Sequence, residues 1–211
     1  MIEIILARHG ETEWNKGEIF RGRAEVGLNE TGLRQAALLA ECLGQEKIDI
    51  IYSSPLQRAV KTAEAIASRH GLKVSAVENL IDFDYGEWQG MTHPEVKEKY
   101  AGLYRDWLDT PERVKMPGGE SLKNVRERVV PFVKDTAAGC GEGKIVFVSH
   151  RVVLKVLICA LLGLGDSCFW NIRMDTAALT RFTFNGNKAV LASHNDTCHL
   201  KSCMMEKLND F

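Results

Sequence analysis

The chain has 211 residues, of which 45% are apolar and 26% are charged, and its formal net charge is −1. These values are ordinary for a globular protein with one hydrophobic core, so we expect a single domain over residues 1–211. Because the net charge is close to zero, no global field attracts nucleic acid or an anionic membrane, and we expect neither as a partner.

Strands and helices are predicted to alternate through the first part of the chain. The β-branched run 2–7 is typical of a buried strand, and Asn29 has the position of a helix start. A second strand is predicted over 47–52, and a helix over 56–70 ends at Gly71, the residue type preferred after a helix. Residues 73–77 are a candidate third strand.

Residues 91–121 interrupt the alternation, and we expect them to form a small helical lid. Thr92 followed by Glu95 matches a capping box, and Pro94 suits a first helical turn. Tyr104 and Trp107 belong to an apolar stripe at helical spacing, which indicates a helix packed on one side.

The alternation resumes after the lid, which predicts an α/β fold with a mostly parallel sheet. We expect helices and strands over 122–138, 144–149, 152–162, 178–184 and 189–194. In such folds, ligands bind beyond the carboxyl ends of the strands. Arg8-His9, residues 53–55 and Ser149-His150 each follow a predicted strand, so these side chains should converge on one face.

The residues at these strand ends suit a phosphate dianion. Arginine offers a fixed fork of donors that matches phosphate oxygens, and Arg8 and Arg58 both lie near a predicted strand end. A neutral imidazole is available near pH 7 and can divide a slow phosphate displacement into two easier steps. The displacement also needs an acid on the leaving-group side, for which residues 80–90 supply Asp82, Asp84 and Glu87.

Six blocks of the sequence, in the right order, resemble the histidine phosphatase superfamily, the phosphoglycerate mutase-like enzymes. The first is Arg8-His9-Gly10-Glu11-Thr12-Glu13-Trp14-Asn15, which closely resembles the family signature. The others begin at Leu28, Ser53, Gly86, Pro117 and Val148. The resemblance implies a phosphoglycerate mutase-like fold with three α/β/α layers, in which the family's phosphatases need no metal and no other cofactor.

The resemblance also implies roles for individual residues. His9 matches the phosphorylated nucleophile, and Arg8, Arg58 and His150 match residues that bind the phosphoryl group. Asp82 falls where the family places its proton donor, which leaves structural roles for Asp84 and Glu87.

Two further positions and the tail carry weaker implications. Asn15 matches a residue that lines the phosphate pocket, whereas Arg21 stands where many relatives have glutamine, in reach of substrate. His150 is followed by Arg151 where many members have glycine. The tail 195–211 resembles that of some phosphatase-type members, and we expect it to fold over the site.

The cysteines give no sign of a disulfide framework or of a metal site. Six cysteines occur without a CxxC pair, the chain opens without a basic signal-type region, and no stretch approaches the roughly 18 apolar residues of a membrane helix. We therefore expect a reduced, cytoplasmic protein. The cluster of His194, Cys198, His199 and Cys203 matches no common zinc spacing, so we expect no metal there.

Three functions remain open. The first is a phosphatase for a small phosphomonoester, since the tail and short lid are similar to the α-ribazole phosphatase and broad-specificity groups. The second is a cofactor-dependent phosphoglycerate mutase, although mutases of the family are usually longer, with a more basic insertion. The third is an inactive relative that binds phosphorylated partners. A homodimer is compatible with the family, in which dimers are common.

Overall fold

The computed structural model describes residues 1–186 and 188–201. Its strands are β1 (Ile2–Arg8), β2 (Ile50–Ser53), β3 (Val74–Ala76), β4 (Gly143–Ser149), β5 (Leu179–Asn185) and β6 (Lys188–Asp196). Its α-helices are α1 (Glu13–Lys16), α2 (Glu30–Leu43), α3 (Gln57–His70), α4 (His93–Lys99), α5 (Ala101–Asp109), α6 (Leu122–Gly139) and α7 (Arg151–Leu161). Every strand and helix expected from the sequence is therefore present, with ends shifted by at most a few residues.

The strands form one sheet in the order β3-β2-β4-β1-β5-β6. The pairs β3–β2, β2–β4 and β4–β1 are parallel, whereas β5 pairs antiparallel with β1 and with β6. A short connection can join antiparallel strands, which is why the hairpin of β5 and β6 forms the antiparallel edge. The prediction of a mostly parallel α/β sheet is confirmed.

Helices cover both faces of the sheet, as the three-layer prediction requires. Side chains alternate along β1, so that Ile4 and Leu6 face the core formed with α6 and α7. Ile5 and Ala7 face the core formed with α2 and α3. All four are fully buried, which explains why residues 4–7 of the strand are apolar without interruption.

The predicted lid consists of α4, α5 and a 3-10 turn at Pro111–Arg113. Its capping box is confirmed, because the backbone N–H of Thr92 donates to Glu95 Oε2 at 2.7 Å. Trp107 is buried and stacks on Phe83 with 5.7 Å between ring centroids, so α5 packs directly on the segment that contains Asp82. Movement of these helices as a lid stays a prediction.

The described part of the tail packs on the α2–α3 side of the sheet. After β6, a 3-10 turn over Cys198–Leu200 buries Leu200 in the core beside Leu39. Residues 202–211 of the predicted tail lie outside the described residues. Within the described ranges, no helix is both long and apolar enough to cross a membrane.

Candidate active site

The ends of β1, β2 and β4 bring two histidines together. The backbone N–H of His9 donates to the Ser149 carbonyl at 3.1 Å, and that of Ser54 donates to the Val148 carbonyl at 2.9 Å. Since the three strands are parallel neighbours, their next residues emerge at the same edge of the sheet. The rings of His9 and His150 consequently lie 5.1 Å apart between centroids.

The His9 ring is oriented by a single backbone group. Nδ1 lies 2.6 Å from the Gly10 carbonyl oxygen, which can only accept, so Nδ1 carries the hydrogen and Nε2 keeps its lone pair. Nε2 is buried and has no hydrogen-bond partner among the described residues. Burial, together with the nearby His150 and Arg58, lowers the pKa of His9 well below its usual value, which keeps the imidazole neutral.

The loop after β1 is pressed against the start of α2. A Cβ on Gly10 would lie 2.5 Å from the Gly32 carbonyl oxygen, and one on Gly32 would lie 2.1 Å from the Glu11 carbonyl oxygen. Neither position tolerates a side chain without movement of the backbone. Gln35 secures this contact by accepting from the Glu11 N–H at 2.8 Å.

Arg58 lies in the first turn of α3 and is fully buried, and most of its N–H groups donate hydrogen bonds within the protein. Its Nε donates to His150 Nδ1 at 3.3 Å, and its Nη1 to the Ala24 carbonyl at 2.8 Å. Its Nη2 donates to the Gly22 carbonyl at 2.7 Å and to Asp82 Oδ2 at 2.9 Å. Arg58 thereby joins four segments of the chain and leaves one N–H for a ligand.

His150 is the N-cap residue of α7 and is held in one tautomer. Because Nδ1 accepts from Arg58, Nε2 carries the hydrogen and donates to Ser54 Oγ at 2.7 Å. Burial, followed by the charge of Arg58, lowers the pKa of His150 well below its usual value.

Of the three acidic candidates in residues 80–90, Asp82 is the one that enters this cluster. It is buried, its Oδ1 accepts from the Phe83 N–H at 2.8 Å, and its Oδ2 lies 3.4 Å from His150 Nδ1. Asp84 instead accepts from the Gly86 N–H at 2.9 Å, and Glu87 accepts from the Tyr100 hydroxyl at 2.5 Å.

The remaining predicted residues differ in their contacts. Arg8 Nη1 donates to the Met174 carbonyl at 2.5 Å. Arg21 is half-buried, and burial followed by the charge of Arg8 lowers the pKa of its guanidinium. Asn15 Oδ1 accepts from the Thr12 N–H at 2.8 Å and closes the capping box of α1, so its oxygen is directed at its own helix.

Sequence reasoning gave no individual role to Ser54 or Arg128. Ser54 directly follows β2 within a recognised block, which was a usable signal for its contact with His150. Arg128 donates to the Asp82 carbonyl at 3.2 Å and to Glu120 Oε1 at 3.1 Å. Its position in a predicted helix gave no indication of these contacts.

The suspected histidine–cysteine cluster has other contacts. Among residues 1–186 and 188–201, no group of three or more His, Cys, Asp or Glu side chains could hold a metal ion. His194 Nδ1 lies 3.0 Å from Thr180 Oγ1, and His199 Nε2 lies 3.1 Å from the Ala177 carbonyl oxygen. Cys203, the fourth member, is outside the described residues.

Comparison with known proteins supports a common origin for this arrangement. Residues 4–197 match the Histidine phosphatase superfamily (branch 1). The chain is 39% identical to Phosphoserine phosphatase 1 of Hydrogenobacter thermophilus, over 98% of both chains. It is also 38% identical to Phosphoglycerate mutase of Schizosaccharomyces pombe, over 77% of this chain and 81% of that one.

A solved structure extends the likeness to three dimensions. The Entamoeba histolytica phosphoserine phosphatase mutant H9A in complex with phosphoserine superposes with a TM-score of 0.87 at 30% identity. The match covers 95% of this chain and 100% of that one.

Proposed function

Because the chain belongs to branch 1 of the histidine phosphatase superfamily, we propose that it hydrolyses phosphomonoesters through a phosphohistidine at His9. It is an enzyme of the phosphatase type within this phosphoglycerate mutase-like family, and its substrates are small phosphorylated compounds. The observation that carries the proposal for His9 is its Nε2, a buried lone pair without a partner among the described residues, beside Arg58 and His150.

In the first step, His9 Nε2 attacks phosphorus and the bond from phosphorus to the ester oxygen breaks. Arg8 and Arg58 hold the equatorial oxygens, where charge redistributes in the transition state. His150 binds them as well once its Nε2–H leaves Ser54 Oγ for a phosphoryl oxygen. Asp82, as the acid, donates its proton to the departing oxygen, so the leaving group departs as a neutral alcohol.

In the second step, water attacks the phosphorus of the phosphohistidine. The Asp82 carboxylate takes a proton from that water, and the phosphorus–nitrogen bond breaks. Inorganic phosphate leaves, His9 is again neutral and Asp82 is again protonated. No metal ion takes part in either step.

Finer features extend the proposal. We infer one phosphatase domain over residues 1–211, acting in the cytoplasm without a nucleic-acid or membrane partner, because its net charge is −1 and its cysteines show no disulfide spacing. We also propose a homodimer, the common state in the family. Asn15 is proposed to line the phosphate pocket through its amide nitrogen, since its oxygen is occupied by Thr12.

The direct test is phosphate release with EDTA present, from p-nitrophenyl phosphate, phosphoserine, 3-phosphoglycerate and α-ribazole phosphate. We expect wild type to release phosphate and His9→Ala to lose at least about a thousandfold in turnover. His70→Ala, at the end of α3, is the matched control and should retain turnover. Full activity of His9→Ala, or full loss of wild-type activity in EDTA, would contradict the proposal.

The two alternatives give different products. With 2,3-bisphosphoglycerate as primer, a mutase converts 3-phosphoglycerate to 2-phosphoglycerate without accumulating phosphate, whereas a phosphatase releases phosphate. An inactive binding relative would bind phosphoserine and give neither product.

A further inference from the structure

Arg21 lies on a loop that packs along the segment containing Asp82. The ring of Phe20 contacts that of Tyr85 with 5.0 Å between centroids. A Cβ on Gly22 would lie 3.2 Å from the Phe83 carbonyl oxygen, and Arg23 Nε donates to the Asp82 carbonyl at 3.4 Å. Since the residues on both sides of Arg21 contact this segment, the backbone of Arg21 runs alongside the part of the chain that carries the proposed acid.

The guanidinium of Arg21 differs from that of Arg58 in its available donors. Arg58 donates four of its five N–H groups, to His150, to Asp82 and to two backbone carbonyls. Arg21 makes no side-chain hydrogen bond or ion pair within the described ranges, although its Nε is buried. A buried N–H without a partner has lost its hydrogen bonds to water and gained none from the protein, which is unfavourable. A hydrogen bond to a ligand oxygen would compensate for this loss.

The surrounding charges favour an anion at this position. Arg8, Arg58 and Arg151 act on Arg21 with like charge, and Asp82 is the carboxylate that opposes them. Among the arginines near His9, Arg58 and Arg8 act on its imidazole more strongly than Arg21 does. Arg21 therefore interacts both with Arg8, on the phosphoryl side of the site, and with Asp82, the proposed acid on the leaving-group side.

We propose that Arg21 binds a carboxylate on the leaving group and selects phosphorylated amino acids and hydroxy acids over esters of alcohols that lack a carboxylate. The proposal rests on the substrate orientation of the proposed function, with phosphorus at His9 and the ester oxygen at Asp82. A guanidinium binds a carboxylate through two charge-assisted hydrogen bonds. Glutamine, which many relatives have at this position, carries no charge and cannot form such a pair.

The test compares phosphoserine with phosphoethanolamine, which differs from it by the missing carboxylate. In wild type we expect kcat/KM to favour phosphoserine. Arg21→Gln should reduce kcat/KM for phosphoserine at least about tenfold more than for phosphoethanolamine, mainly through KM, because a charge-assisted hydrogen bond is lost. Arg21→Lys should restore part of the preference, whereas Arg105→Gln, an exposed residue of α5, should leave it unchanged.

Calorimetric titration of the same two compounds into His9→Ala, with and without Arg21→Gln, measures selection without turnover. Loss of the phosphoserine preference on Arg21→Gln supports the proposal, even if wild type hydrolyses neither compound and the proposed function fails. Equal losses for both compounds, or no wild-type preference in either assay, would overturn it, because Arg21 would then bind the phosphoryl group or support the loop.

Discussion

Arg58 Nη2 lies 2.9 Å from Asp82 Oδ2, so the arginine of the phosphate pocket also holds the proposed acid. The same guanidinium therefore serves both the proposed phosphate pocket and the proposed acid. An incoming phosphoryl group would bind the Arg58 guanidinium that also contacts Asp82. Phosphate binding and the placement of Asp82 are thus coupled through Arg58.

Asp82→Asn should therefore depend strongly on the leaving group. We expect kcat/KM for phosphoserine, a poor leaving group, to fall by about 10²–10⁴, and kcat/KM for p-nitrophenyl phosphate to fall far less. The ratio kcat/KM isolates the first step, in which the acid acts. Asp84→Asn is the matched control, since Asp84 accepts from the Gly86 N–H outside the cluster. Equal losses for the two esters would count against Asp82 as the acid.

Arg58→Ala should damage stability as well as turnover. It leaves the buried Asp82 carboxylate without its ion pair and the Gly22 and Ala24 carbonyls without donors. Removing one partner of a buried pair costs about 3–5 kcal/mol, which urea unfolding would measure. Arg58→Lys keeps the charge but not the fork, so it should recover only part of the loss. An unchanged unfolding midpoint for Arg58→Ala would contradict these contacts.

Both active-site imidazoles should stay neutral through mildly acidic pH. Burial comes first among the causes that lower the pKa of His9 and of His150, and nearby positive charge adds to it. Since each pKa lies below its ordinary value, protonation requires a pH below about 6.5. Nitrogen-15 NMR, assigned with His9→Ala and His150→Ala, should show no ring titration from pH 8 to 6.5. Saturating phosphate should raise the pKa of His150, and a free-enzyme midpoint at or above 6.5 would refute the argument.

Gly86→Ala should destabilise the fold through its backbone. Gly86 has φ +52°, and a Cβ there would lie 2.0 Å from the Pro117 carbonyl oxygen. The left-handed conformation alone costs about 1–2 kcal/mol, and the clash adds to it. Gly102→Ala in α5 meets nothing within 4 Å and should stabilise by about 0.5–1 kcal/mol. Urea unfolding of both variants should give opposite signs.

Glu46 should make stability depend on acid pH. Burial raises its pKa, but hydrogen bonds from Arg181 at 2.5 Å and Lys144 at 2.6 Å outweigh it, so the pKa is lowered overall. When the pKa of a carboxyl is lower in the folded than in the unfolded state, the group stabilises the fold at pH values above its unfolded-state pKa. This stabilisation is lost as the pH falls through its folded-state pKa. Glu46→Gln should lower Tm at pH 7 and reduce the drop in Tm between pH 7 and pH 4. An equal drop in Tm for wild type and Glu46→Gln would contradict a contribution of Glu46 to the pH dependence of stability.

The elements and the strand ends could be read from the sequence because their signals are local. Apolar runs and helical spacing decide which segments become strands and helices, and β1 is a clear case with every residue from Ile4 to Arg8 buried. The order of parallel strands then places whatever follows them at one edge, so that His9 and His150 could be expected to meet.

The tertiary structure decided which hydrogen-bond and ion-pair partners these side chains have. Sequence spacing alone left Asp82, Asp84 and Glu87 as acidic candidates, and the contact with Arg58, far away along the chain, separates them. The carbonyls of Gly22 and Ala24 that occupy Arg58 carry no sequence signal, because every residue has the same carbonyl. Residue types therefore determined the chemistry available at the strand ends, and long-range packing decided which donors remain for a substrate.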